Sequence, residues 1–372
     1  MGPAEGVRVG GRGSLILFST IPPHNASVPQ PVRRHLIDRF ARPLARIAAP
    51  ILAAVLPALS AGCSLTVPLV VESRSTQHSP FGAIDGATPV SVQTDDGATL
   101  RGVRVESGAP DAMLILHLLP SRLSVEGGID AGISRLPLGP MLEEFKSAGF
   151  DSVVFDHRGV GASDGPAVPE LFVEDGMAMW RAALELVDGD EGRIVVRAGS
   201  LGTIIASELI TRGASPRAMV LYAPVRSETV AANAARYHGG LAGWLLAPFI
   251  EKPRGADLVE VLLTTEGLEI LVLLDGESPY LPGDEHAAIQ SAAERGAHPV
   301  VVTPYGHQLL VLRCWGFEVA ETESGGFKSK SGLPPIAEEV EWFRAVRAGS
   351  ERPRKRTAAR GPRQTARKTA LD

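Results

Sequence analysis

Cysteine is nearly missing from this chain. The two that occur, Cys63 and Cys314, cannot build a disulfide framework, and no histidine or cysteine spacing resembles a zinc site. Aromatic residues are also scarce, at 5% against 44% apolar content, so burial falls to aliphatic side chains, which suffice for one substantial core. The length of 372 residues allows one or two domains. Long apolar runs are lacking but for one, residues 47–62, and roughly 16 apolar residues with two prolines are marginal for a bilayer span. Positive charge is lacking in the middle. Residues 1–62 carry a net +5 and residues 351–372 a net +6, which against the whole-chain −5 leaves −16 for residues 63–350. That balance argues against a nucleic-acid-binding domain there.

What the sequence does have is a strand that must turn sharply into a helix. Ile194 to Ala198 is a short, β-branched run, and after Gly202 the apolar positions recur at helical spacing through Ile210. Between them stands Ala198-Gly199-Ser200-Leu201-Gly202. Small residues two before and two after the serine allow the close strand–helix approach of a nucleophile elbow, which lifts the hydroxyl off the sheet edge. The helix N-terminus beneath offers N–H groups and positive dipole to a developing oxyanion. The same residues also fit a serine N-cap on an ordinary βα turn.

The surrounding elements read as a parallel sheet covered on both faces. Val90 to Thr94 and Thr99 to Val105 form a hairpin about Asp95-Asp96-Gly97. Strands are expected at Ala112 to Leu116, closed by His117, and at Asp151 to Asp156, Ala218 to Tyr222, Leu268 to Leu274 and Pro299 to Thr303. Helices are expected at Leu138 to Ala148, Leu171 to Val187 and Ala287 to Arg295. Residues 229–267 interrupt the alternation and read as a small helical cap, whose Tyr237, Trp244, Leu245, Leu246 and Phe249 either line an acyl-sized pocket or pack ordinarily.

With Asp156-His157-Arg158-Gly159-Val160-Gly161-Ala162-Ser163 after one strand and the elbow after the next, residues 89–346 resemble the α/β-hydrolase superfamily. The resemblance implies an α/β fold, a mostly parallel doubly wound sheet with a small helical cap, and a structural role for Asp156, Arg158 and Ser163. It also implies the chain order Ser, acid, His. Of nine histidines, His307 alone follows the last strand at the carboxyl edge. His117 occupies the place of a loop-bracing histidine. The resemblance therefore casts Ser200 as nucleophile and His307 as base, with the oxyanion held by the N–H of Leu201 and that of Leu118 or Leu119. Such hydrolases place an aspartate three residues past the glycine that ends the strand at Leu274, and here that position is Pro279. Glu277 is the nearest substitute, with Asp284, Asp275 and Glu228 behind it.

Upstream, Arg33, Arg34, Arg39, Arg42 and Arg46 precede the apolar run, which closes on Leu59-Ser60-Ala61-Gly62-Cys63. This reads as an export signal. Its end resembles a bacterial lipobox, implying lipidation of Cys63 and a membrane-anchored protein of the cell envelope. An ordinary signal peptide, giving a soluble periplasmic or secreted protein, and an uncleaved anchor also fit. The expected organisation is a leader over 1–62, with translation starting near Val28 or Val32 and residues 1–31 overextended. A tether at 63–88, the hydrolase domain at 89–347 with its cap at 229–267, and a disordered basic tail at 348–372 follow. The expected function is cleavage of an ester, thioester or amide through an acyl-enzyme on Ser200, acting on a small-molecule or acyl substrate. Neither a metal nor an organic cofactor is required, and no nucleic acid is expected as a partner of the folded domain. The alternative, suggested by Pro279 and Leu118, is a catalytically weakened hydrolase fold serving as a lipoprotein binding or scaffold module.

Overall fold

The computed structural model describes residues 73–74, 86–120, 123–124, 128–129, 139–167, 169–238, 240–250, 252, 255–276, 278–315, 318–321, 327–330 and 337–350. The apolar run 47–62, Cys63 and Glu277 lie outside them, as do His24, His35, His78 and the basic tail beyond 350. The chain divides after Cys63, and every described residue belongs to the second unit, Ser64–Asp372. Among the described residues no helix is long and apolar enough to cross a membrane.

An eight-stranded sheet organises this unit. Its strands are β1 (Ala87–Gln93), β2 (Thr99–Val105), β3 (Met113–Leu118), β4 (Phe150–Phe155), β5 (Ile194–Gly199), β6 (Ala218–Tyr222), β7 (Glu269–Leu274) and β8 (Val300–Val302). They lie side by side in the order β1-β2-β4-β3-β5-β6-β7-β8. The hairpin β1–β2 is antiparallel and joins β4 antiparallel, while β4 through β8 run parallel. Central strands are buried on both faces, every residue of β3 and β5 included, which is why their sequences read as continuous apolar runs rather than alternating ones.

Helices α1 (Gly139–Ser147), α2 (Phe172–Leu186) and α3 (Gly202–Thr211) follow β3, β4 and β5. The cap contributes α4 (Val230–His238), α5 (Gly240–Leu246) and α6 (Leu258–Thr264). Then come α7 (Gly283–Arg295), α8 (His307–Cys314) and α9 (Ala337–Ser350). One apolar layer, with Leu116, Val196, Ile205, Met179 and Ile289, lies on the α2, α3 and α7 face of the sheet. The other, with Ile115, Val195, Phe145, Leu310 and Phe343, lies on the α1, α8 and α9 face. Each such side chain, fully buried, contributes roughly 1.5–3 kcal/mol relative to exposure.

One charge sits inside the second layer. Arg197 of β5 is fully buried and pairs with equally buried Glu339 of α9. Its Nη2 donates to the Cys314 carbonyl at the end of α8, and its guanidinium lies over the rings of Tyr222, Trp315 and Phe145. Burial pulls the Arg197 pKa down, but Glu339 outweighs it and the guanidinium stays charged. Burial raises the Cys314 thiol pKa well above its ordinary value, which leaves it an inert core residue. Removing one partner strands the other charge in the core. Arg197→Ala is therefore expected to lower the unfolding free energy by about 3–5 kcal/mol. Arg181→Ala, which breaks the exposed pair with Asp95, is expected to cost under about 1 kcal/mol, both read by urea denaturation.

Candidate active site

Ser200 occupies the corner between β5 and α3 with φ of 47°, a left-handed conformation for a residue with a side chain. The corner is as tight as the small-residue spacing requires. A Cβ on Gly202 would stand 2.3 Å from the Leu118 carbonyl oxygen, and one on Gly199 would stand 2.1 Å from the Tyr222 ring. Ser200 N–H donates to the Tyr222 carbonyl at 3.1 Å, and the Thr203 hydroxyl donates back to the Ser200 carbonyl at 2.6 Å. With its backbone groups occupied this way, the side chain is left half-exposed at the carboxyl edge of the sheet. The hydroxyl does not cap the helix: no side-chain cap bond is made at the start of α3.

Instead, Ser200 Oγ lies 3.0 Å from His307 Nε2. His307 is the first residue of α8, four residues beyond Thr303, and is buried. Its other ring nitrogen, Nδ1, lies 2.8 Å from Asp275 Oδ2. An Nδ1–H donated to that carboxylate leaves Nε2 unprotonated and able to accept from Ser200. Ser278 Oγ, 3.3 Å from Nδ1, is a second and longer contact, and the Tyr280 ring stands edge-on to the imidazole at 4.8 Å between centroids.

Among the described residues, the carboxylate that meets His307 is that of Asp275; Glu277, the substitute preferred from sequence, lies outside the described residues. Asp275 ends β7 directly and is fully buried. The chain then turns away at Gly276, whose N–H donates to the Tyr305 carbonyl and where a Cβ would stand 2.7 Å from the Thr303 carbonyl oxygen. That crossing brings the end of β7 against the loop carrying His307. The other two candidates are solvent charges: Asp284 is exposed in the first turn of α7, and exposed Glu228 pairs with Arg226. A signal for Asp275 was present, in that a carboxylate directly following five buried strand residues must itself sit at the sheet edge.

The loop past β3 is braced by a different histidine from the one expected. His117 is buried beside Ser152, with Nε2 3.2 Å from its hydroxyl, and packs against Phe145 and Trp315. It is His157, in the turn after β4, whose Nε2 lies 2.7 Å from the Leu119 carbonyl. The turn itself is held as its residues suggested. Asp156 accepts from Ala162 N–H, Ser163 bonds Arg101 N–H and the Asp156 carbonyl, and Arg158 bridges Asp96 and Asp175. Leu118 is buried with its carbonyl against Gly202, and Leu201 takes the position just before α3. His286 bonds the Asp275 carbonyl and His298 the Leu262 carbonyl.

A cavity of about 510 Å³ between α3 and α6, lined by Glu208, Thr211, Asp257 and Glu260, includes none of these residues. Among the described residues no cluster of three or more His, Cys, Asp or Glu is arranged to hold a metal.

The fold recurs in known structures. An esterase from Pyrococcus furiosus, Pf2001, aligns with a TM-score of 0.50 at 16% identity, over 64% of this chain and 90% of its own. The fold is that of an α/β hydrolase. An alpha-beta hydrolase from Vibrio vulnificus aligns at 0.44 and 18% identity, over 60% of this chain and 76% of that one. By sequence, residues 138–261 match the serine aminopeptidase, S33 family (Hydrolase_4). That span includes Ser200 and ends before Asp275 and His307. No curated protein matches the chain by sequence.

Burial holds the His157 pKa down at about 4, and burial with nearby Arg197 holds that of His117 lower than usual as well. Both groups are held below the unfolded histidine value of about 6.5, so the stability these residues contribute is complete above about pH 6.5 and is lost as pH falls below it, for His157 down to about 4. Unfolding free energy is expected to decline over that window, and His157→Gln to flatten the decline, measured by denaturant titration at successive pH values.

Proposed function

We propose that this protein is a serine hydrolase that cleaves an ester, thioester or amide bond through an acyl-enzyme on Ser200. The observation that carries the reading is the unbroken chain from Ser200 Oγ to His307 at 3.0 Å and from His307 to Asp275 at 2.8 Å, set on a serine in a left-handed corner. In the first half-reaction His307 Nε2 takes the Ser200 proton as Oγ bonds to the carbonyl carbon. The same proton then passes to the leaving alcohol, thiol or amine as its bond to carbon breaks. Water, deprotonated by Nε2, attacks the acyl-enzyme in the second half, and Ser200 recovers its proton as the acid departs. Asp275 holds the ring tautomer and stabilises the imidazolium. The oxyanion is assigned to the N–H of Leu201 and that of Leu118 or Leu119; His157 bonds the Leu119 carbonyl, in the peptide that follows, and so braces the loop just past these donors.

The scaffold alternative rested on a missing acid and on Leu118. Asp275 supplies a carboxylate to His307, and a buried leucine at 118 leaves backbone donors in place. The acyl-group chemistry, the lipid anchor at Cys63 and the placement in a bacterial envelope remain part of this proposal, supported by the residue patterns that suggested them.

A fluorophosphonate probe is expected to label the protein on Ser200, with labelling abolished in Ser200→Ala and His307→Ala. Asp275→Asn is expected to lower kcat on a p-nitrophenyl acyl ester by roughly 10⁴-fold, while Asp284→Asn and Glu277→Gln stay within a few fold. Labelling that survives Ser200→Ala, or full activity in Asp275→Asn, rejects the assignment.

A further inference from the structure

Five of the eight large hydrophobic side chains that stand exposed among the described residues fall within one stretch of the cap: Tyr237, Leu241, Trp244, Leu245 and Phe249. Trp244 is 64% exposed and Tyr237 60%. On α5, Leu241, Trp244 and Leu245 stand three and four residues apart and so share one face. The opposite face is fixed by a close contact: Gly243 is buried, and a Cβ there would stand 1.9 Å from the Ala235 carbonyl oxygen of α4. Because α5 lies flat on α4 at a point that tolerates no side chain, it cannot roll to bury its leucines and tryptophan.

Apolar surface collected in this way on a folded domain marks a binding face. Its charge indicates what it binds. Residues 63–350 carry a net −16, yet residues 229–252 contain Arg236, His238 and Lys252 against a single acid, Glu251. Arg236 and Lys252 are exposed at the two ends of the apolar stretch. Tryptophan and tyrosine beside leucine and phenylalanine, edged by cations, is the composition of a helix that lies in the headgroup region of a bilayer. The patch is also continuous with the site. Asn233 of α4 donates to the Tyr280 carbonyl, the Tyr237 ring stands 6.1 Å from that of Tyr280, and Tyr280 stands against His307.

We infer that the cap is a membrane-docking face, seating Leu241, Trp244, Leu245 and Phe249 in the interface of a bilayer containing anionic lipid. The inference does not require Ser200 to be a nucleophile, and it is independent of any lipid on Cys63. Docked this way, the face reaches the site through the ring contacts of Tyr237 with Tyr280 and of Tyr280 with His307.

The test uses the full chain carrying Cys63→Ser and vesicles of phosphatidylcholine with and without phosphatidylglycerol. Because the apolar run 47–62 can itself partition into lipid, the deciding readout is the fluorescence of Trp244. With anionic vesicles, tryptophan emission is expected to shift to the blue and to be quenched by lipids brominated at shallow acyl positions. Both effects should be largely absent in Trp244→Phe. In Leu241→Ser/Leu245→Ser, which keeps the reporter, the lipid concentration giving half the shift should rise about tenfold or more, with unchanged circular dichroism and fluorophosphonate labelling. Quenching that persists in Trp244→Phe, or a shift unaffected by the double serine variant, overturns the inference. So does self-association without vesicles that the double variant abolishes, which assigns the face to a second copy of this chain. Vesicle binding retained in Ser200→Ala separates this result from the fate of the hydrolase reading.

Discussion

The corner at Ser200 is the constraint from which the site descends. A residue with a side chain held at φ of 47° lies where L-amino acids rarely rest, at a cost on the order of 1–3 kcal/mol. What sustains it is crowding on both sides. The Leu118 carbonyl presses on Gly202, the Tyr222 ring presses on Gly199, and backbone bonds from Tyr222 and Thr203 occupy the peptide groups flanking the serine. The strain is local, and the buried strands beside it, β3, β5 and β6, carry it.

The partner of that corner is fixed from the far end of the same helix. His307 opens α8, and Cys314 and Trp315 close it. The Cys314 carbonyl accepts from Arg197 and the Trp315 indole donates to the Tyr222 hydroxyl at 2.8 Å, so β5, which leads into the corner, and β6, which packs beside it, also hold the helix bearing the histidine. Glu339 then locks Arg197 to α9. Burial of an ion pair is poor evidence of net stability, but its geometry here sets one register of α8 on the sheet. The imidazole inherits its placement from a cluster at the other end of the helix.

Different parts of the site were legible to different degrees. Ser200 was visible because its requirement is local: a strand, a tight turn and a helix within eighteen residues, Ile194 to Thr211, with small residues at set offsets. His307 could be reached by elimination once the strands were counted, since only one histidine follows the last of them. The carboxylate could not, because four acids lay within reach of the right sheet edge and the offset usual for such folds carried proline. His117 and His157 were exchanged for a related reason. Strand alternation alone does not tell which buried histidine faces a helix layer and which reaches the loop beyond its neighbour. The cap was legible as helical, but the fate of its large side chains was not. Helical spacing looks the same whether an apolar face is covered or bare, and only the contact at Gly243 decides.

By itself the sequence determined the layered sheet, the corner serine and the histidine that follows it, because apolar runs, glycine offsets and chain order are properties of neighbouring residues or of element sequence. Tertiary structure alone decided that Asp275 completes the line through His307, that His157 braces the loop past β3, and that the cap turns its tryptophan and leucines outward. Each of these is a choice among side chains of like chemistry, and distances across β7, β8 and α8, set by packing over many residues of separation, make that choice.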